Sequence, residues 1–304
     1  MAKRLALEIG GTKLQAALGT ADGKILRAGR CSVPDGADAG EIRRMLADVA
    51  AEAMGGEKVE RVGIGFGGPV NVETGQVVRS FHVAGWDGFD LRAWAEQTIA
   101  RPCVIENDTN CGALAEATVG AGAGARVVVY TNIGTGIGGG LVVGGRLYSR
   151  PLGCMEVGHT KLWDRPAGEY CIVEHLCSGL SIARMARERA AGGRMPRVLE
   201  LAGGEVEAVT ARHVGSAAGE GDGPALELVR QVAADFAVAL CNVITLLNPD
   251  RVVVGGGVTL MGDAFLGPLR DAVAQRIFRP YAGSYEILPA ALGEDVVLIG
   301  ALLL

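Results

Sequence analysis

At 304 residues the chain can bury a substantial core, and its length gives a prior of about two domains. Hydrophobic residues at 49% and charged residues at 21% are ordinary for a soluble globular protein. A net charge of −5, with no block of Lys or Arg, speaks against nucleic acid as a partner. Lys3 and Arg4 precede an apolar run that breaks at Glu8, too soon for a signal peptide. The longest helical apolar stretch, Phe236 to Leu247, contains Asn242 and is too short to span a bilayer, so no membrane is expected. Seven scattered cysteines without a CxxC pair favour reduced thiols and a cytoplasmic setting. The 47 glycines are roughly twice the usual share and point to tight turns and close backbone approaches.

In chain order, Arg4–Ile9 reads as a buried strand, Gly10-Gly11-Thr12-Lys13 as a turn, and Leu14–Leu18 as a second strand. A third strand follows over Lys24–Val33, which makes an antiparallel meander. Glu41–Met54 has helical spacing, with Ile42, Met45, Leu46 and Val49 on one face. Val59–Phe66 is the next strand and ends in Gly67-Gly68-Pro69; Leu91–Ile99 is a helix. Cys103–Ile105 then runs into the polar corner Glu106-Asn107-Asp108-Thr109-Asn110, and an Ala-rich helix follows over Cys111–Thr118.

The second half opens like the first. Arg126–Thr131 is a strand, Gly134–Gly140 a glycine-rich turn, and Leu141–Val143 a returning strand. A shift of 124 places Ile9-Gly10 on Ile133-Gly134, a faint duplication that suggests two related domains. Helical patterns fill Ser178–Ala191, Ala208–Gly215 and Pro224–Leu247, and the segment Phe236–Leu247 reads as core in preference to interface. Arg251–Val254 is a strand running into Gly255-Gly256-Gly257, with a helix from about Asp263 to Ile277. No linker is long enough to mark independent modules.

Five features carry chemistry. Asp108, at a strand-to-helix corner, sits near helix N–H groups and the positive end of a dipole, which keeps a carboxylate ionised and aimed. On this segment alone, helix capping by Asn107, Asp108 and Asn110 is the commoner reading, and the motifs on either side reverse that preference. Gly134-Thr135-Gly136-Ile137-Gly138-Gly139 matches the dinucleotide fingerprint in letters, but a strand pattern follows where that fingerprint needs a helix. A glycine hairpin can still cradle phosphate oxygens with its N–H groups, although a plain turn is the commoner reading. Two such hairpins, one with Thr12-Lys13 and one with Thr135, favour phosphate binding, and Gly255–Gly257 is a third close-approach point. Glu156, His159 and Glu174 form a polar cluster suited to hydroxyl groups, though each alone is more often a solvated residue.

In this order the motifs resemble the ROK family of sugar kinases and repressors, within the actin-like ATPase superfamily. The resemblance is carried by Glu8-Ile9-Gly10-Gly11-Thr12-Lys13, Gly67-Gly68-Pro69-Val70, Glu106–Asn110, Gly134–Gly140, Glu156-Val157-Gly158-His159, Glu174, Ser178-Gly179, Asn248-Pro249 and Gly255-Gly256-Gly257-Val258. It implies two α/β domains of the actin-like ATPase (ribonuclease H-like) fold flanking a central cleft. The smaller would span 1–109, completed by 290–304, and the larger 110–289. It implies ATP-dependent phosphorylation of a hexose, foremost the 6-hydroxyl of glucose, with N-acetylglucosamine or N-acetylmannosamine as alternatives. Asp108 would be the general base. Gly68, Asn107, Asp108, Glu156, His159 and Glu174 would hold the sugar. Gly10, Gly11, Thr12, Lys13, Gly134, Thr135, Gly136, Gly255, Gly256 and Gly257 would hold ATP. Mg²⁺ would accompany ATP and meet Glu8 through water, and the family implies a homodimer.

Three departures stand out. The first family motif usually begins with Asp; Glu8 is longer by one methylene, about 1.5 Å, which the water shell of Mg²⁺ can absorb. Many members bind zinc through His and CxCGxxGCxE, but aligned on Glu174 this chain has Arg165, Ala167 and Ile172 at the cysteine positions and Cys171 at the glycine. No structural zinc is therefore expected. Met155 replaces the Gly that usually precedes the glutamate. Two other function classes are weighed. A repressor would need a DNA-binding domain before the first phosphate strand, which begins near residue 4. A sugar-binding regulator with little catalysis is suggested by Glu8 and the lost cysteines, and opposed by Asp108.

Overall fold

The computed structural model describes residues 2–80 and 83–304 and is a mixed α/β structure. The opening meander is β1 (Lys3–Ile9), β2 (Lys13–Thr20) and β3 (Ile25–Ser32), antiparallel throughout. Helix α1 (Ala39–Met54) starts where the Asp38 carboxylate accepts the Glu41 N–H at 2.9 Å. It stops at Gly55, whose left-handed φ of 53° suits a residue without a Cβ. β4 (Arg61–Phe66) then joins β1 in parallel. The short hairpin β5 (Val70–Asn71) and β6 (Gln76–Val77) leads to α2 (Leu91–Ile99) and β7 (Cys103–Asn107), parallel to β4. The first sheet has the order β3-β2-β1-β4-β7. Helix α3 (Asp108–Val119) follows β7 without a loop.

The remaining chain runs β8 (Val127–Ile133), β9 (Ile137–Val143) and β10 (Arg146–Leu147), then the hairpin β11 (Lys161–Asp164) and β12 (Glu169–Ile172). Helices α4 (Val173–Cys177), α5 (Gly179–Ala191), α6 (Pro196–Leu201), α7 (Ala211–Gly219) and α8 (Gly223–Leu247) precede β13 (Arg251–Gly255), α9 (Asp263–Arg276), β14 (Glu286–Pro289) and α10 (Val296–Leu303). The second sheet has the order β10-β9-β8-β13-β14. Counted along the chain, both sheets read third, second, first, fourth, fifth. The faint duplication at a shift of 124 thus has a counterpart in topology.

The chain divides into two compact units, 1–125 with 140–155 and 291–304, and 126–139 with 156–290. In the first, the period-2 alternation of strands sorts side chains onto two faces. Leu5, Leu7, Ile9, Leu14, Ala16 and Leu18 pack with Ile42, Leu46 and Val49 of α1. Ala6 and Ala17 face the other way, against Cys111 of α3 and Leu298, Ala301 and Leu302 of α10. Small residues let α10 approach this face: a Cβ on Gly63 would lie 1.9 Å from the Ala301 carbonyl oxygen. Glu8 has the parity of Ala6 and Gln15 that of Ala17, so both belong to the α3 face.

In the second unit, β8 and β13 are continuous apolar runs, Val127-Val128-Val129 and Val252-Val253-Val254, as expected of buried parallel strands. Helix α8 is long and apolar enough to cross a membrane by length and composition, because it begins at Gly223, well before Phe236. Length therefore does not separate it from a spanning helix; burial does, since 61% of its apolar window lies inside the fold and Phe236, Leu240 and Ile244 are fully covered. That favours the core role over an interface.

Candidate active site

In the first unit, the corner between β7 and α3 holds the candidate base. Asn107 caps α3: its Oδ1 accepts the N–H groups of Thr109 at 2.9 Å and Asn110 at 3.2 Å. Its Nδ2 donates to the Gly68 carbonyl at 3.3 Å. With Asn107 as cap, Asp108 becomes the first helical residue, and its Oδ1 accepts the Thr109 N–H at 2.6 Å. The other oxygen, Oδ2, lies beside the end of β4, 3.3 Å from where a Gly67 Cβ would be. A side chain at position 67 would therefore press on the carboxylate, a physical reason for the glycine.

Behind the corner, Glu106 is buried, and its carboxylate accepts the Asn107 N–H at 2.8 Å, the Asn110 amide at 2.9 Å and the Ser149 hydroxyl at 2.6 Å. Nothing local in the sequence marks Glu106 as this anchor.

Glu8 lies next to the end of β1, on its α3 face. Its Oε2 accepts Gln15 Nε2 at 2.6 Å, and Lys13 Nζ is 3.9 Å from Oε1. Burial pushes the Glu8 carboxyl above its ordinary range; Lys13 and the Gln15 hydrogen bond oppose this, and the Asp108 charge reinforces it. Glu8 and Asp108 are thus close enough to feel one another. The Gly10–Lys13 turn is closed by the Gly10 N–H on the Lys13 carbonyl at 3.1 Å, with Gly11 and Thr12 exposed at its tip.

In the second unit, Gly134, Thr135 and Gly136 form the turn between β8 and β9, closed by the Gly134 N–H on the Gly136 carbonyl at 2.9 Å. A strand follows, not a helix, so the Rossmann reading fails in the structure as it does in the sequence. A Cβ on Gly256 would lie 2.4 Å from the Ile133 carbonyl oxygen, so the Gly255–Gly257 turn packs against the end of β8, beside the Gly134 turn. Gly256 has a φ of 89° and the space around Gly257 is open.

The carboxylates gather on the same hairpin. Glu156 precedes the short 3-10 turn Val157–His159, and Glu174 lies in the first turn of α4. Glu174 Oε2 accepts the Ile137 N–H at 2.7 Å. Partial desolvation raises the Glu156 carboxyl above its ordinary range, opposed by His159 and reinforced by Glu174. Residue 156 is exposed overall, so this shift concerns its carboxyl end. The sugar-set residues Glu156, His159 and Glu174 and the phosphate-set residues Gly134–Gly136 and Gly255–Gly257 are thus neighbours within one unit.

A family model described as the ROK family matches residues 4–304. The chain belongs to the ROK family. Glucokinase of Thermotoga maritima is 33% identical to this ROK protein over 98% of the chain and 96% of its own length. N-acetylmannosamine kinase of Escherichia coli is 31% identical, with 99% and 97% covered. Among solved structures, a ROK family glucokinase from Streptomyces griseus, in complex with glucose and AMPPNP, superposes with a TM-score of 0.86 at 30% identity, covering 99% of this chain and 98% of that one. The fold is accordingly that of the actin-like ATPase superfamily.

The stretch before Glu174, where the resemblance would place a zinc motif, is the β11–β12 hairpin. Arg165 and Ala167 lie in its turn, Cys171 and Ile172 on β12. Trp163 and Tyr170, a register pair, meet edge to face with ring centroids 5.0 Å apart, and Leu162 is buried. Among the described residues no group of three or more His, Cys, Asp or Glu is placed to hold a metal ion. Met155 has a φ of 61°. Among the described residues the other two non-glycine residues with positive φ, Ala100 and Asn248, close helices α2 and α8; Met155 closes none.

Proposed function

We propose that this ROK protein transfers the γ-phosphoryl group of ATP to the 6-hydroxyl of a hexose, glucose foremost, with Asp108 as general base. The observation that carries this reading is the Asp108 corner. One carboxylate oxygen is pinned by the Thr109 N–H and the other lies against the close-packed end of β4, at a helix N-terminus. As the sugar oxygen bonds to the γ-phosphorus, its proton passes to Asp108, and the bond to the β,γ-bridging oxygen breaks to release ADP. Protein catalysis of this reaction is mainly positioning and charge neutralisation.

The remaining residues receive roles on the same reading. Gly68, Asn107, Glu156, His159 and Glu174 hold sugar hydroxyls. Gly10–Lys13 and Gly134–Gly136 receive the phosphates, and Gly255–Gly257 border the adenosine. Magnesium bound with ATP would neutralise phosphate charge, and Glu8, a hard oxygen donor, fits holding it through water. The near-equal similarity to glucokinases and to an N-acetylmannosamine kinase keeps N-acetylated hexosamines in view. The cytoplasm is the setting that suits seven free cysteines, and we carry over the family's homodimer.

The test is Mg·ATP-dependent ADP release over glucose, mannose, fructose, allose, N-acetylglucosamine and N-acetylmannosamine. Turnover on one sugar, reduced at least about 100-fold in Asp108→Asn while sugar binding persists, is the expected result. Silence across the panel, with binding intact, would transfer the protein to the sugar-binding class.

A further inference from the structure

The Gly134–Gly136 turn is held from the side that carries the sugar carboxylates. The Ile137 N–H donates to Glu174 Oε2 at 2.7 Å, and the Gly179 N–H donates to the Gly134 carbonyl at 2.7 Å. Two glycines make this approach possible. A Cβ on Gly136 would lie 2.5 Å from Glu174 Oε2, and one on Gly158 would lie 2.2 Å from the Ile137 carbonyl oxygen. The backbone carrying Glu156 and His159, and the carboxylate of Glu174, thus abut the Ile137 shoulder of the turn, and Gly179 abuts the Gly134 shoulder. Since the Gly134 and Ile137 N–H groups are engaged internally, anion recognition by this turn falls to Thr135 and Gly136.

We infer that Glu174 is a positioning residue for the phosphate turn, in addition to being a sugar contact. One oxygen fixes the Ile137 N–H, which holds the turn in the form that presents Thr135 and Gly136 to a phosphate. The other oxygen remains for a sugar hydroxyl. A sugar that orders this carboxylate therefore also orders the turn, so sugar and nucleotide binding favour one another through a shared side chain. A carboxylate is suited to this double duty because it accepts through both oxygens at once. The inference rests on the kinase reading above for the identity of the two ligands.

The test compares Glu174→Gln and Glu174→Ala with wild type in the absence of sugar. It uses AMPPNP affinity by titration calorimetry and amide hydrogen exchange of the 134–137 segment. Gln keeps an acceptor for the Ile137 N–H, so its AMPPNP affinity stays within about threefold and its amide protection persists; Ala weakens AMPPNP about tenfold and speeds exchange. Glucose affinity falls in both variants. A residue that only touches sugar would leave both sugar-free readouts unmoved in Glu174→Ala, and that outcome overturns the inference. If wild type binds no adenine nucleotide, the kinase reading fails, and the exchange rate of Ile137 in Glu174→Ala still decides whether Glu174 positions the turn.

Discussion

Gln15 donates to Glu8 across the β1–β2 register at 2.6 Å. Glu8 is longer than the Asp usual in its family, and the contact shows what the extra methylene meets: a buried amide that fixes the direction of the carboxylate. We expect Gln15→Ala to lower turnover about tenfold with little change in sugar KM. In a Glu8→Asp background, where the carboxylate is withdrawn by about 1.5 Å, the same substitution changes little. A double-mutant cycle on kcat measures this coupling, and additive effects would exclude it.

Met155 carries a left-handed backbone without a helix to close. That conformation costs a residue with a Cβ about 1 kcal/mol. Met155→Gly removes the strain and Met155→Ala retains it, so the Gly variant melts about 2 °C above the Ala variant. Equal melting temperatures would mean that the local backbone relaxes around any side chain.

Asp235 tests the pH dependence of the second unit. Burial raises its carboxyl above the ordinary range, opposed by Arg165, reinforced by Asp164 and opposed again by Arg276. An acid whose folded pKa is raised binds protons more readily when folded, so its contribution to stability declines as pH rises above its unfolded value of about 3.8. Asp235→Asn mimics the protonated form. It is expected to melt about 2 °C above wild type at pH 7, with the advantage shrinking as the pH is lowered toward 4. An advantage that grows on acidification contradicts the sign.

The β11–β12 hairpin is expected to need no metal. Treatment with 1,10-phenanthroline leaves the melting temperature unchanged, and elemental analysis of purified protein finds no stoichiometric zinc. Tyr170→Ala, which removes the partner of Trp163, weakens the hairpin by about 1 kcal/mol, visible as faster amide exchange over Lys161–Ile172. Zinc at one equivalent per chain would refute this account.

Local patterns made much of the fold legible. The meander, the apolar strand runs and the helix spacing of Ile42, Leu46 and Val49 all reflect periodicity within a few residues. The corner at Asp108 was legible for the same reason: a strand ends, a cap residue follows and a helix begins. What stayed hidden depends on distant partners. The β11–β12 hairpin has no clean alternation, since Trp163 and Tyr170 are exposed and stabilise one another across the register. Glu106 and Glu116 look like ordinary surface acids, yet both are buried because donors far along the chain meet them. Glu174 could be read as a ligand for hydroxyls, but its bond to Ile137 joins residues 37 apart and leaves no trace in spacing.

Glu116 shows what such a distant partner implies for how the protein is made. Its carboxylate accepts the N–H groups of Ala121, Ala291 and Leu292, at 2.8, 2.8 and 2.9 Å, and the α10 that follows seals the α3 face of the first sheet. A Cβ on Gly300 of α10 would lie 2.0 Å from the Cys111 carbonyl oxygen, so nothing bulkier can take that place. During translation, then, the first unit to begin is the last to be finished. Until residues 291–304 emerge from the ribosome, Glu116 is a carboxylate without its two distant donors, and Ala6 and Ala17 lack the cover of α10. The residues of the second unit from Arg126 to Ala290 have all been synthesised by then, so a released chain truncated before Ala291 should protect that unit from protease and leave the first open.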